Sequence, residues 1–292
     1  MVDSSLSAYA STEGDSLALH DWPVSVGWPV RGVVLLVHGL GEHAGRYAHV
    51  ADRLNACGFS VRAYDQYGHG ESAGVRGDLP TDDRLLTDLA AIIDDTRMRM
   101  DDRLPLILLG HSTGALVAAR LVSLKLRRIE ALVLSSPAFD VGMTLVQKAL
   151  TGALCRIAPH TRVGNGVEPG HLTHDLAEVE AYRNDPLVHD RISARLARFI
   201  AGAGPAVLAR APRWKVPTLL LVAGQDRVVN AAGSRAFAAA APADVVTMQV
   251  FPMHYHELFN EVEREPVLAA LQAWLDARFA PIALGSTNEH AP

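Results

Sequence analysis

Four short apolar runs govern what this chain can become: Val33–Val37, Phe59–Tyr64, Leu106–Leu109 and Ala131–Leu134. They read as continuous rather than alternating, broken only by Ser60 and Arg62 in the second, as strands buried on both faces of a sheet should be. Stretches of helical pattern lie between them, at Arg46–Ala56, Asp82–Met100 and Thr113–Leu124. Strand and helix in alternation build right-handed βαβ units, so the expectation is an α/β fold with a mostly parallel sheet and helices on both faces. Ahead of these runs, Tyr9–Val26 reads as short strands around a turn at Gly14–Asp15. With 49% of 292 residues hydrophobic, the chain has enough apolar surface for such a core.

The alternation stops after Ser136. From residue 140 to 211 no strand pattern is visible, only helical segments at Thr144–Cys155, Leu176–Asn184 and Ser193–Phe199. The strand signal returns at Val216–Val222, followed by a helix near Ala231–Ala241, a strand at Val245–Phe251 and a closing helix at Pro266–Arg278. The chain therefore divides into one sheet domain, residues 1–139 and 212–292, and a helical cap, residues 140–211, inserted into it. Leu145, Val146, Leu150, Leu154 and Ile157 give the cap an apolar helical face. The commoner use of such a face is packing on the sheet domain, and a cap can also line an acyl tunnel.

A net charge of -5 gives no electrostatic reason to expect nucleic acid as a partner. The N-terminus has no basic start and no apolar run, and no apolar stretch is long enough to span a bilayer, so a cytoplasmic location is expected. Cys57 and Cys155 cannot form a disulfide framework and read as free thiols.

Gly110-His111-Ser112-Thr113-Gly114 follows the run Leu106–Leu109 and opens the helix Thr113–Leu124. This strand–turn–helix setting is the one a nucleophile elbow requires, with glycines where helix and strand approach too closely for a Cβ. Ser112 is the expected nucleophile. A serine hydroxyl needs a base, and the base an orienting acid. Asp226 follows the strand Val216–Val222, and His254 and His256 both follow the strand ending at Phe251. The order Ser, Asp, His fits, and all of these positions fall at the carboxyl-end rim where open α/β sheets place their sites. On the residues alone, Asp226 also reads as an N-cap, and the two histidines stay unseparated. His171 and His174 read as solvated. The oxyanion donors are expected from the backbone N–H groups of Thr113 and Leu40, the latter in the glycine-rich loop His38-Gly39-Leu40-Gly41.

With these residues in place, the chain resembles the monoacylglycerol lipase family of α/β-hydrolases, which also includes proteins named lysophospholipases. The matching segments are His38-Gly-Leu-Gly-Glu-His-Ala-Gly-Arg-Tyr47, Tyr64-Asp-Gln-Tyr-Gly-His-Gly-Glu-Ser72, Gly110–Gly114, Tyr182-Arg-Asn-Asp-Pro-Leu187, Gly224-Gln-Asp226 and Tyr255-His-Glu-Leu-Phe-Asn-Glu261. The resemblance implies an eight-stranded α/β-hydrolase sheet and a catalytic triad of Ser112, Asp226 and His256, selecting His256 over His254. It also implies oxyanion donors at Leu40 and Thr113, and a glycerol site around Glu42, Arg46 and Tyr182. One departure bears on the substrate: Phe259 stands where some members have a second histidine that contacts glycerol.

The implied activity is cleavage of monoacylglycerols to fatty acid and glycerol through an acyl-enzyme, without cofactor or metal. The same triad would also serve a carboxylesterase, a lysophospholipase or a thioesterase. A binding protein on an inactive scaffold would need a broken triad, and none is seen. The partner expected is a small lipid ester, with transient contact of the cap with a membrane or micelle.

Overall fold

The structure is a computed structural model and describes residues 4–11 and 13–280; residues 1–3, 12 and 281–292, which the expected core segments include, lie outside them. The chain opens with an antiparallel hairpin, β1 (Ser5–Ala10) and β2 (Ser16–Trp22). The four apolar runs then form β3 (Gly32–Val37), β4 (Phe59–Tyr64), β5 (Leu106–His111) and β6 (Ala131–Ser135). Between them lie α1 (Ala48–Ala56), α2 (Arg84–Arg99) and α3 (Ser112–Leu124). After β6 come α4 (Leu145–Ile157), β7 (Arg162–Gly164), α5 (Leu176–Asn184), β8 (Arg191–Ser193) and α6 (Ala194–Leu208). The chain then rejoins the sheet with β9 (Thr218–Ala223), α7 (Ala231–Ala240), β10 (Val246–Phe251) and α8 (Glu265–Asp276).

Eight strands form one sheet in the order β1-β2-β4-β3-β5-β6-β9-β10, parallel from β4 to β10 and antiparallel at the β1–β2–β4 edge. Alternate residues of the central strands serve opposite faces. Leu35, Val37, Leu108 and Leu134 face α2, α3, α6 and α7, while Val34, Leu36, Ile107 and Leu109 face α1 and α8. That double duty explains why the runs read as continuous. From β3 the chain steps outward to β4 and then returns to the other side of β3 for β5, so strand order reverses between β3 and β5. The loops leaving these two strands diverge there and leave a crevice at their carboxyl ends, where open α/β sheets bind ligands.

The stretch between β6 and β9 differs from expectation in three ways. It contains a two-stranded antiparallel sheet, β7 with β8, whose three-residue strands are too short to carry a periodic signal. Its last helix runs on through Gly202, Gly204 and Pro205 to Leu208, well past Phe199. A continuous buried stripe of Leu196, Ile200, Ala203 and Val207 holds it against the core and overrides those poor helix formers. The third difference concerns α4. Its apolar residues do not pack on the sheet domain but face solvent, with Leu145 at 84% and Ile157 at 85% exposure, and of its residues only Cys155 is buried.

Gly204 marks where α6 crosses the chain after β6: a Cβ there would collide with the carbonyl oxygen of Phe139. Gly204→Ala is expected to cost roughly 1–3 kcal/mol by forcing the two segments apart. Its thermal midpoint should fall, and an unchanged midpoint would mean that the crossing relaxes freely.

Candidate active site

Strand β5 passes into α3 with no intervening loop, and Ser112 at the junction has φ 51°. A non-glycine residue in this left-handed region costs on the order of 1–3 kcal/mol, borne here by the packing on either side. That packing explains the two glycines. A Cβ on Gly110 would meet Ala115 Cα at 2.6 Å, and one on Gly114 would collide with the carbonyl oxygens of Val37 and His38 at the end of β3. The elbow thus lifts the Ser112 hydroxyl above the sheet edge, directly beside the loop that leaves β3.

His256 Nε2 lies 2.8 Å from Ser112 Oγ, and its Nδ1 lies 2.8 Å from Asp226 Oδ2. Because an ionised carboxylate only accepts, Nδ1–H donates to Asp226, leaving the Nε2 lone pair for the serine hydroxyl. The other Asp226 oxygen accepts the N–H groups of Val228 and Val229, both at 2.9 Å. Burial alone would raise the Asp226 carboxyl, but the facing His256 and these amides outweigh it and hold the group below its ordinary value. Burial likewise pulls His256 down, and the Asp226 charge and hydrogen bond, helped by Glu257 and Glu42, more than offset it. Its imidazole is therefore more basic than usual. His254 is held elsewhere, its Nε2 2.9 Å from the Glu263 carbonyl oxygen. The N-cap of α7 is Asn230, so Asp226 is not spent on that role.

Thr113 belongs to the first turn of α3, whose N–H groups have no carbonyl one turn back to bond. Leu40 and Thr113 both line the cavity above Ser112. The loop carrying Leu40 is held by the second matching segment of the resemblance, Tyr64–Ser72. Gln66 N–H donates to His38 Nε2 at 2.9 Å and its side-chain amide to the His38 carbonyl at 2.7 Å. Asp65 accepts the N–H groups of Ala44 and Glu71, each at 2.8 Å.

The cavity encloses about 310 Å³. Glu42, Glu257 and Tyr182 form a polar cluster about Arg46, and Val141, Met143, Ile192, Ile200, Val228 and Val229 supply apolar lining, with Asn165, Glu168, His171 and Arg227 adding polar groups. Apolar lining from residues 140–211 comes from the loop before α4, the stretch between β7 and α5, β8 and α6, not from α4 itself. Of the three expected glycerol residues, Glu42 and Tyr182 reach the cavity and Arg46 does not. Arg46 sits behind them, bonded to Glu42 and Glu257, with its guanidinium 4.8 Å from the Tyr182 ring centroid. Phe259 is 1% exposed within the core and offers no polar group. His174 is exposed, as the solvated reading expects, while it also bonds Glu261 at 2.9 Å and stacks on Tyr255 at 3.6 Å. His171 lines the cavity wall.

Comparison with known proteins places the chain in a family. Residues 29–263 match the family described as Hydrolase_4: serine aminopeptidase, S33. The monoacylglycerol lipase of Mycolicibacterium smegmatis is 36% identical over 254 residues, covering 84% of this chain and 88% of that protein. Chain and family coincide over most of their length. The chain belongs to the Hydrolase_4 family of α/β-hydrolases. This hydrolase is also 32% identical to the phospholipase YtpA of Bacillus subtilis, over 87% of its own length and 98% of that protein. The crystal structure of the Paleococcus ferrophilus monoacylglycerol lipase superposes with a TM-score of 0.81 at 34% identity, covering 89% of this chain and 98% of that one.

Three residues at the site of this hydrolase lie inside the matching segments, but no role follows for them from the sequence. His111, within the elbow, is fully buried; burial and the neighbouring His256 ring at 4.8 Å push it down to about 4, so it stays neutral. Tyr47 donates its hydroxyl to Glu42 at 2.7 Å. Glu257 follows the base directly, and that adjacency was its only available signal.

Ser112→Ala is expected to lower kcat by roughly four to six orders of magnitude while leaving the fold intact, because triad members act as a unit. Near-full activity in a folded variant would remove Ser112 from the chemistry. The base works only when unprotonated, and its folded pKa is raised. Activity should therefore fall with pH with a midpoint above the free-imidazole value of about 6.5. A rate flat down to about pH 5 would argue against His256 as the base.

Proposed function

We propose that this hydrolase cleaves monoacylglycerols to fatty acid and glycerol through an acyl-enzyme on Ser112. The observation that carries the reading is a cavity that joins a polar cluster with two carboxylates to apolar lining, with the serine hydroxyl on its floor. The activity named for the Mycolicibacterium smegmatis and Paleococcus ferrophilus relatives supports it.

In this mechanism Ser112 Oγ attacks the ester carbonyl carbon as His256 Nε2 takes its proton, and Asp226 stabilises the resulting imidazolium. Charge developing on the carbonyl oxygen is met by the N–H groups of Leu40 and Thr113, preorganised where little water competes. The C–O bond to glycerol breaks, and His256 returns the proton to the leaving alkoxide. A water then repeats the sequence on the acyl-enzyme, giving the fatty acid and free Ser112. Glu42 and Tyr182 meet the glycerol hydroxyls, while Arg46 braces Glu42 from behind.

The exposed apolar face of α4 gives a second element of the reading. Among the described residues no helix is long and apolar enough to cross a membrane. Leu145, Val146, Leu150 and Ile157 on α4 nonetheless expose between 64% and 85% of their surface, more than an isolated hydrophobe on a water-facing helix requires. We assign this face to transient docking on the lipid surface that holds the substrate.

Hydrolysis rates across monoacylglycerols of increasing chain length, beside p-nitrophenyl esters of matching lengths, test the substrate. The expected result is higher kcat/KM on monoacylglycerols of medium or long chain. Activity confined to short synthetic esters would keep the serine hydrolase and remove the lipase. Val146→Glu with Leu150→Glu should slow hydrolysis of long-chain substrate in vesicles while sparing a soluble short ester. Equal loss on both would place α4 in folding rather than in lipid contact.

A further inference from the structure

Glu257 directly follows the base His256 and lines the cavity. Its carboxylate meets Arg46 with two prongs: Nη1 donates to Oε1 and Nη2 to Oε2, each at 2.7 Å. Asn260 Nδ2 donates to Oε2 at 2.8 Å. Arg46 Nη1 also donates to Glu42 Oε2 at 2.8 Å. The other Glu42 oxygen accepts the Gly39 N–H at 2.6 Å, one residue before Leu40. An unbroken path therefore runs from the residue after the base to the residue before an oxyanion donor.

The side chains of Arg46, Glu42 and Glu257 are only 9%, 3% and 5% exposed. Paired charges at such depth add little net stability, because the interaction is offset by the loss of hydration. What a two-pronged guanidinium–carboxylate pair does supply is orientation. It would be needed here, since the base sits on a loop after β10 and the oxyanion amide on a loop after β3, elements separated by three strands of the sheet.

We propose that Glu257 is a positioning residue, which through its two-pronged pair with Arg46 ties the loop of the base His256 to the loop that presents the Leu40 amide. This rests on the serine-hydrolase reading above but not on which ester is cleaved. The arrangement has an electrostatic corollary. Two carboxylates share one guanidinium, leaving one negative charge beside the base. The groups facing the His256 imidazole are Asp226, Glu257, Glu42 and the neutral His111. The surplus charge favours the imidazolium that forms in the transition state.

Glu257→Gln is the informative variant. It keeps the shape and leaves Arg46 matched one-to-one with Glu42, so no buried charge is orphaned and the fold should hold, as a melting curve would verify. Steady-state kinetics on p-nitrophenyl butyrate and on a monoacylglycerol, from about pH 5 to 9, should show kcat lowered roughly 10- to 100-fold on both substrates with KM little changed. The acid limb of kcat/KM should move to lower pH, because loss of one negative charge disfavours the imidazolium and lowers the His256 pKa. Glu257→Asp keeps the charge but shortens the reach, so it should lower kcat and leave the acid limb in place. The rate of Ser112 labelling by a fluorophosphonate, which uses the same base and amides, should fall in both variants. Unchanged kcat, labelling rate and acid limb would overturn the proposal. So would a rise in KM on the monoacylglycerol alone, which would make Glu257 a head-group contact. Wild-type enzyme inactive on monoacylglycerol but active on the synthetic ester would instead refute the substrate reading and leave the Glu257 result standing.

Discussion

The first turn of α3 lies against the carboxyl end of β3 so closely that Gly114 has no room for a Cβ beside the Val37 and His38 carbonyls. That contact sets the distance between the two loops that matter most. One carries Ser112 at a left-handed φ, the other carries the Leu40 amide. If the helix stood even a methyl group further out, the hydroxyl and the oxyanion donor would no longer face a common substrate carbon. The reversal of strand order between β3 and β5 opens the crevice, and the glycine contact sets its width. Asp226 and His256 then arrive from β9 and β10 along the same rim, which a parallel sheet guarantees for every loop of that type.

Around this centre the protein buries a cluster of charged groups. Arg46, Glu42, Glu257, Asp65 and Asp226 are all enclosed, each with its oxygens or nitrogens bonded to backbone amides or to a partner side chain. A buried group that loses a partner costs about 1–3 kcal/mol, more if charged. Such a network therefore tolerates one arrangement and penalises near neighbours. That intolerance suits a site in which serine, base and two amides must hold their places while the substrate passes through.

Much of this could be read in advance, and the reasons are physical. Most of the buried strands announce themselves because apolar residues on both faces leave no polar interruption, Ser60 and Arg62 in β4 being the exception, and the elbow because only glycine fits at Gly110 and Gly114. The chain order of Ser112, Asp226 and His256 follows from the sheet. Periodicity could not reach β7 and β8, each shorter than one repeat of any useful signal. It also could not extend α6 past Gly202–Pro205, where local preference and tertiary burial disagree. The direction of the α4 face is open in the sequence for a related reason: an apolar stripe says that something will cover it, not that the cover belongs to the same chain. Arg46 was placed among substrate contacts by analogy, yet its guanidinium is enclosed by two carboxylates that only the folded chain brings together, Glu42 and Glu257 being far apart in sequence.

Strands β6 and β9 are neighbours in the sheet, yet the chain leaves β6 at Ser135 and does not begin β9 until Thr218. During synthesis the half-sheet ending in β6 must therefore wait, its Ala131–Ser135 edge unpaired, while everything between is made. Asp226 and His256, the acid and base of the proposed mechanism, both lie beyond that gap, so the turn carrying Ser112 can form early but gains its His256 partner only when the last strands dock. Loop closure over so long a segment is slow compared with local pairing. An unpaired apolar edge is meanwhile a place where other chains can add. The nascent protein should accordingly be most dependent on chaperones in the interval between β6 and β9, and chemically silent until that interval ends.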